Sequence, residues 1–299
     1  MGYLFLAVAL FAGAAKGYCG KKTSGYVNGY RDAMLANTIR MVLCTLIGLI
    51  MIFAAGNASQ LRPTPALLAI AALSGVTTSV FVVCWLISVK KGAYMMLDVF
   101  LMLGVLVPIL AGHFLFGEAV KITQWLGIGV LFVAVMIMCS YNNSIKEKMS
   151  ISAIILLIVC GVANGLTDFS QKLFVRELSK TPIAVFNFYT YIFSALVLAI
   201  FLIVFGAKER AQGTKTDMAG VKHSFGYIAV MSVCLFANSY FKTKAAGFLD
   251  SAQLYPLSQG LALILSSVMS ATLFHERLTF KCIIGLALSF AGLIIINVL

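Results

Sequence analysis

Charged and hydrogen-bonding side chains recur at helical intervals through a chain that is otherwise apolar. Asn37 and Arg40 lie one turn apart, and Ser74, Thr78, Phe81 and Trp85 form a stripe. The same three- or four-residue interval joins Tyr94 to Asp98, Asn164 to Asp168 and Lys172, Asn187 to Tyr191 and Ser194, Asn238 to Lys242, and Tyr255 to Gln259. Lys16 sits in FAGAAKG, between Gly13 and Gly17. The chemistry such groups offer is non-covalent recognition: a lysine or arginine holds a carboxylate or phosphate, and an aspartate holds an amine or a coupling proton. Catalysis is not expected, since paired carboxylates, HExxH and Ser/His constellations are absent at usable spacing.

What positions these groups follows from composition. The chain has 299 residues, 61% hydrophobic and only 11% charged, with mean hydropathy +1.01. Soluble domains carry about 25% charged residues, so this is an all-α polytopic membrane protein. Its net charge of +12 belongs with loops facing anionic lipid, and no nucleic-acid partner is expected. Ten apolar stretches are long enough to span: approximately 2–20, 33–55, 66–88, 93–116, 122–141, 151–171, 182–205, 224–244, 250–273 and 279–298. The longest loop, 206–223, lacks the GxxxxGK[ST] spacing, so the chain has no ATP-driven engine of its own. The seven cysteines read as small hydrophobes, the three histidines have no metal-ligand spacing, and MGYLF lacks the basic start of a cleaved leader.

Polar groups are costly in a bilayer, about 2.5–3.5 kcal/mol for Lys, Arg or Asp at a helix centre. They should therefore face protein or water, and their distribution marks a cavity. Helices 5 and 10 are nearly free of them and carry Gly127, Gly129, Gly285 and Gly292, which suits scaffold or dimer contact. The remaining eight helices would enclose the cavity, although any single Asn, Ser or Thr could instead bond one helix to another. Lys16 either faces inward, with Asp168 as a possible counter-charge and Arg40 paired with Asp98, or snorkels to the interface. Pro108 and Pro256 interrupt helices 4 and 9, as hinges or as tolerated prolines. Glu118 and Glu276 read as first-turn caps of the helices that follow them.

An internal repeat decides the architecture. Gly13-Ala-Ala-Lys16-Gly17 matches Gly161-Val-Ala-Asn164-Gly165, 148 residues later, and FGEAVKITQWLGIGV matches FHERLTFKCIIGLAL at an offset of 158. The extra length falls in the 206–223 loop. Two five-helix halves result, 1–148 and 149–299, and an odd helix number makes them inverted in the membrane. Ten helices as 5+5, with PILAGHFLFGEAVKITQWLGIGVLFVAVMIM closing one half and PLSQGLALILSSVMSATLFHERLTFKCIIGLALSFAGLIII the other, resemble the drug/metabolite transporter superfamily, EamA-type branch.

That resemblance implies a secondary transporter in a bacterial cytoplasmic membrane, with helices 5 and 10 outside the cavity and both termini cytoplasmic. The Lys/Arg distribution among loops favours the opposite orientation. The short cation-exporting relatives carry a helix-1 glutamate eight residues before a lysine. Counting back from Lys22 and Lys172 gives Ala14 and Asn164, so their proton-for-cation exchange does not carry over. Lys16 and Arg40, with Asp98 or Asp168 for an amine or proton, favour an anionic or zwitterionic metabolite. The candidate site is Lys16, Arg40, Trp85, Tyr94, Asp98, Asn164, Asp168, Asn187, Tyr191, Asn238, Tyr255 and Gln259. A lipid-linked-sugar flippase and a proton-coupled multidrug or cation exporter are the alternatives. No cofactor is expected beyond a proton or sodium ion for coupling, and the protein would act as a monomer or as a homodimer through helices 5 and 10.

Overall fold

The computed structural model describes residues 1–27, 29–90, 97, 100–102, 104–140, 151–211, 219–274 and 280–298. Each predicted stretch contains a helix: α1 (Gly2–Ser24), α2 (Tyr30–Ala54), α3 (Pro65–Lys90), α4 (Leu106–Phe116), α5 (Ile122–Ser140), α6 (Ile151–Glu177), α7 (Ile183–Ala211), α8 (Phe225–Ala246), α9 (Ser251–Thr272) and α10 (Phe280–Val298). Gly2–Ser24, Tyr30–Ala54, Pro65–Lys90, Ile154–Glu177 and Ile183–Val204 are long and apolar enough to cross a bilayer. No strand is present among the described residues. The join expected at 148/149 lies within 141–150, outside them.

Local chemistry sets the helix ends. Thr64 accepts the Leu67 amide at 3.3 Å and Pro65 occupies the first helical position of α3, where a missing N–H costs nothing. Pro108 interrupts the fourth segment as predicted. Its ring would clash with the carbonyl four residues back, at Gly104, and the regular helix α4 begins only at Leu106, so Pro108 sits in a first turn. Helix α6 runs six residues beyond its predicted end at 171, because Lys172 and Arg176 find partners near the helix end. Pro256 lies inside α9 without ending it.

The halves interlock. Helix α1 packs on α8 and α6 on α3, α1 on α9 and α6 on α4, α2 on α7, and α5 on α10. Every one of these contacts crosses from one half to the other, and each has its counterpart in the inverted repeat. The start of α1 and the end of α6 share one end of the bundle: Gly2 abuts Phe248 and Leu249, and the Lys172 ammonium donates to the Leu249 carbonyl at 2.8 Å. These two repeat-related helices therefore run in opposite directions, as inversion requires. At the closest crossing, Gly104 meets Gly161 and Gly165 backbone to backbone, the small-xxx-small geometry of membrane helices. Gly127 meets Gly292 similarly, so these two glycines are used between α5 and α10 of the same chain.

Two turns among the described residues need a glycine for their backbone, at Gly56, with φ 69°, and at Gly117. Gly117 closes α4 with φ 64°, in the left-handed region, which aims Glu118 back at the bundle. Gly117→Ala is expected to destabilise by about 1–2 kcal/mol. Thermal unfolding in detergent would read this against Gly129→Ala, where nothing lies within 4 Å of the added methyl.

Candidate functional site

Three adjoining cavities share Lys16 and Phe81 and form one irregular chamber near the middle of the bundle. The first, of about 100 Å³, is lined by Lys16, Trp85, Asn164, Asn238, Lys242 and Gln259, with Ser258 and Ser266. The second adds Arg40 and Val82. The third adds Asp168, Gln171, Tyr191, Thr190 and Ser239. Lining residues come from α1, α2, α3, α6, α7, α8 and α9, with Leu101 ahead of α4, and from neither α5 nor α10. That is the partition expected from the polar stripes.

The electrostatic centre is an ion pair. Lys242 of α8 donates to both Asp168 oxygens of α6, at 2.7 and 2.8 Å, and both side chains are buried. Tyr255 donates its hydroxyl to the Asp168 backbone carbonyl at 2.8 Å, and the Lys242 ammonium lies 5.5 Å from the Tyr255 ring centre. The counter-charge expected for Asp168 was Lys16. The structure gives Asp168 a direct bond from Lys242, and places Lys16 on the same chamber, where its charge also acts on that carboxylate and its ammonium lies 5.8 Å from the centre of the Phe81 ring. Lys16 therefore faces inward and does not snorkel. Arg40 is buried, and its Nε has no hydrogen-bond partner among the described residues.

Eight of the twelve predicted residues line the chamber: Lys16, Arg40, Trp85, Asn164, Asp168, Tyr191, Asn238 and Gln259. Asn187 and Tyr255 do not. Each is fully buried behind the wall, Asn187 accepting the Ser239 hydroxyl at 3.1 Å and Tyr255 supporting the α6 backbone. Tyr94 and Asp98 lie outside the described residues, and so does the Arg40–Asp98 pair. Asn238 has a second role, donating to the Ala9 carbonyl at 2.7 Å and so tying α8 to α1. Asn37 and Ser194 bond helices together, through Val82 and Ser79. Sequence reasoning left Lys242 out of the site because it stands two residues from Lys244 near a helix end, where lysines usually face water. Its four-residue spacing from Asn238 was the signal available.

Glu118 is a cap, but not of the helix that follows it. Its carboxylate accepts the Ser251 amide at the start of α9 at 2.8 Å and pairs with Lys172 of α6 at 2.8 Å. Lys172 also donates to the carbonyls of Ala246 and Leu249, and Arg176 donates to the Phe116 carbonyl at 3.2 Å. This clasp joins the first half's last hairpin to the second half. Burial disfavours the Glu118 charge, but the Lys172 pair and the Ser251 hydrogen bonds outweigh it, holding the carboxyl below its ordinary value. A lowered folded-state value stabilises above the unfolded value of about 4.3, and the gain disappears as pH falls through the folded one. Acid should therefore destabilise the wild type more than Glu118→Gln, a difference that melting temperatures across the acid range would read.

The fold and the chamber define an integral membrane transporter of the drug/metabolite type. The family model described as "EamA-like transporter family" matches residues 1–140 and again 151–298, so the chain belongs to that family. A solved structure titled "Crystal structure of protein" shares the fold, with a TM-score of 0.72 and 16% identity, over 99% of this chain and 96% of that one. No curated protein matches the sequence significantly.

Proposed function

We propose that this protein is a secondary carrier for a small anionic or zwitterionic metabolite, working by alternating access around the Lys16 chamber. The observation that supports this is the gathering of Lys16, Arg40, Lys242 and Asp168 on one chamber. Cationic side chains of this kind hold a carboxylate or phosphate. The amides of Asn164 and Gln259 supply hydrogen bonds, and Trp85, Phe81 and Tyr191 supply apolar walls. Asp168 is the natural group for a coupling proton or for a solute amine, since either would compete with its bond to Lys242. Sites for small molecules usually enclose about 300–1,000 Å³, against about 100 Å³ in the first cavity here. The bundle must open to admit solute, as alternating access demands.

The test is uptake by purified protein in proteoliposomes against amino acids, sugar phosphates, nucleosides and quaternary amines. Saturable, concentrative uptake of a carboxylate- or phosphate-bearing solute, abolished by Lys16→Met in a folded variant, is the expected outcome. Preference for quaternary amines would overturn the substrate class and favour a cation exporter. Movement of labelled lipid alone would favour a flippase. Dependence of uptake on a proton or sodium gradient would identify the coupling ion.

A further inference from the structure

A second cavity, of about 590 Å³, opens at the end of the bundle that carries the Glu118 clasp. Lys172, Arg176, Thr243 and Lys244 are among its walls, with Ser179 at its exposed rim. It is separated from the central chamber by very little protein. On α6 the boundary falls between Gln171, which faces the chamber, and Lys172, which faces the second cavity. On α8 it falls between Lys242 and Thr243.

The partition between them is polar, and its hydrogen bonding is incomplete. Gln171 donates to the Ser239 hydroxyl at 3.3 Å, which in turn donates to Asn187 at 3.1 Å. Gln171 Oε1, Asn187 Nδ2, Thr190 Oγ1 and Thr243 Oγ1 are buried without a partner among the described residues, on side chains no more than 5% exposed. An unmade bond on a buried polar atom costs about 1–3 kcal/mol. A permanent wall would be more stable if apolar. Groups of this kind are suited to a boundary that becomes wet in another conformation.

We propose that the second cavity is the vestibule through which solute reaches the chamber from this end. The Gln171–Ser239–Asn187 layer is the gate, and the Glu118–Lys172 clasp holds it shut. This rests on the carrier reading and extends it to a route and a second, weaker docking place. The solute class is the same. Glu118 is engaged by Lys172, which leaves Arg176 and Lys244 facing Asp250, a balance that draws anions.

Thiol labelling tests access without requiring a known substrate. In a folded variant whose native cysteines are replaced, Ser179→Cys reports on the vestibule and Ser74→Cys, a chamber-lining position, on the chamber. Membrane-impermeant methanethiosulfonates carrying a sulfonate or a trimethylammonium group are applied to intact cells and to inverted vesicles. Labelling of Ser179→Cys identifies the vestibule side. The sulfonate should react severalfold faster there than the cation, and Arg176→Gln with Lys244→Gln should remove the difference. From that side Ser74→Cys should react slowly, and Glu118→Gln should speed it at least tenfold without changing the rate from the opposite side. Gln171→Ala, which leaves the clasp intact, should do the same if Glu118→Gln does not fold. An unchanged rate in a folded variant of either kind, or equal acceleration from both sides, would overturn the gate. Faster reaction of the cation at Ser179→Cys would overturn the ligand class. Because these rates read access alone, a gated path with no solute uptake would sink the carrier reading and spare the gate. Uptake with an inert vestibule would do the reverse.

Discussion

Asp168→Ala should lower the stability of the detergent-solubilised protein by about 3–5 kcal/mol, because it strands the Lys242 ammonium in a buried site. Both partners are buried and both carboxylate oxygens are engaged at 2.8 Å or less. Desolvating two charges is expensive, so the intact pair contributes little net stability; most of the loss comes from leaving one charge uncompensated. The double variant Asp168→Ala with Lys242→Met should therefore recover most of the loss, since methionine fills a similar volume without a charge. Transport should not return with it, because Lys242 and Asp168 both line the chamber. Thermal unfolding and uptake measured on the same four proteins make the cycle. Losses that simply add would show that the two groups do not act as a pair.

The second large effect is steric. Gly104, Gly161 and Gly165 bring the chain ahead of α4 onto α6 so closely that a methyl added at any of the three would fall on a backbone oxygen of the other segment. Backbone cannot rotate aside as a side chain can, so the two segments must separate. Gly161→Ala and Gly165→Ala should each cost about 1–3 kcal/mol, the usual range for overpacking, and leucine should abolish folding. Yield of monodisperse protein and its melting temperature would read both. Gly226→Ala, with open space around the added atom, is the control. It should be neutral or slightly stabilising, because alanine is the better helix former. Equal behaviour of Gly161→Ala and Gly226→Ala would show that the crossing tolerates a methyl group.

The ten helices and their duplication could be read directly from the chain, because both depend on local composition and on a repeated glycine register. Gly13–Gly17 and Gly161–Gly165 mark equivalent turns whatever surrounds them. The partition of polar groups away from α5 and α10 was visible for the same reason. What could not be read was the pairing of charges across helices. Lys172 and Lys242 stand near helix ends, and a hydropathy window scores a lysine identically whether it meets water or a carboxylate. Glu118 shows the same limit: its position suggested the first turn of α5, while its partners Lys172 and Ser251 lie 54 and 133 residues away along the chain. Asn187 and Tyr255 had the right spacing but point behind the wall, a rotation that depends on how α7 and α9 pack against α6 and α8.

The clasp also lies across the seam that a carrier of this kind has to part. Glu118 belongs to the first half, while Lys172 and the Ser251 amide belong to the second. If the halves rock about the chamber, a charge pair fastened across their seam biases the resting protein toward keeping this end sealed. The solute or the driving ion must then supply the free energy that tips the balance.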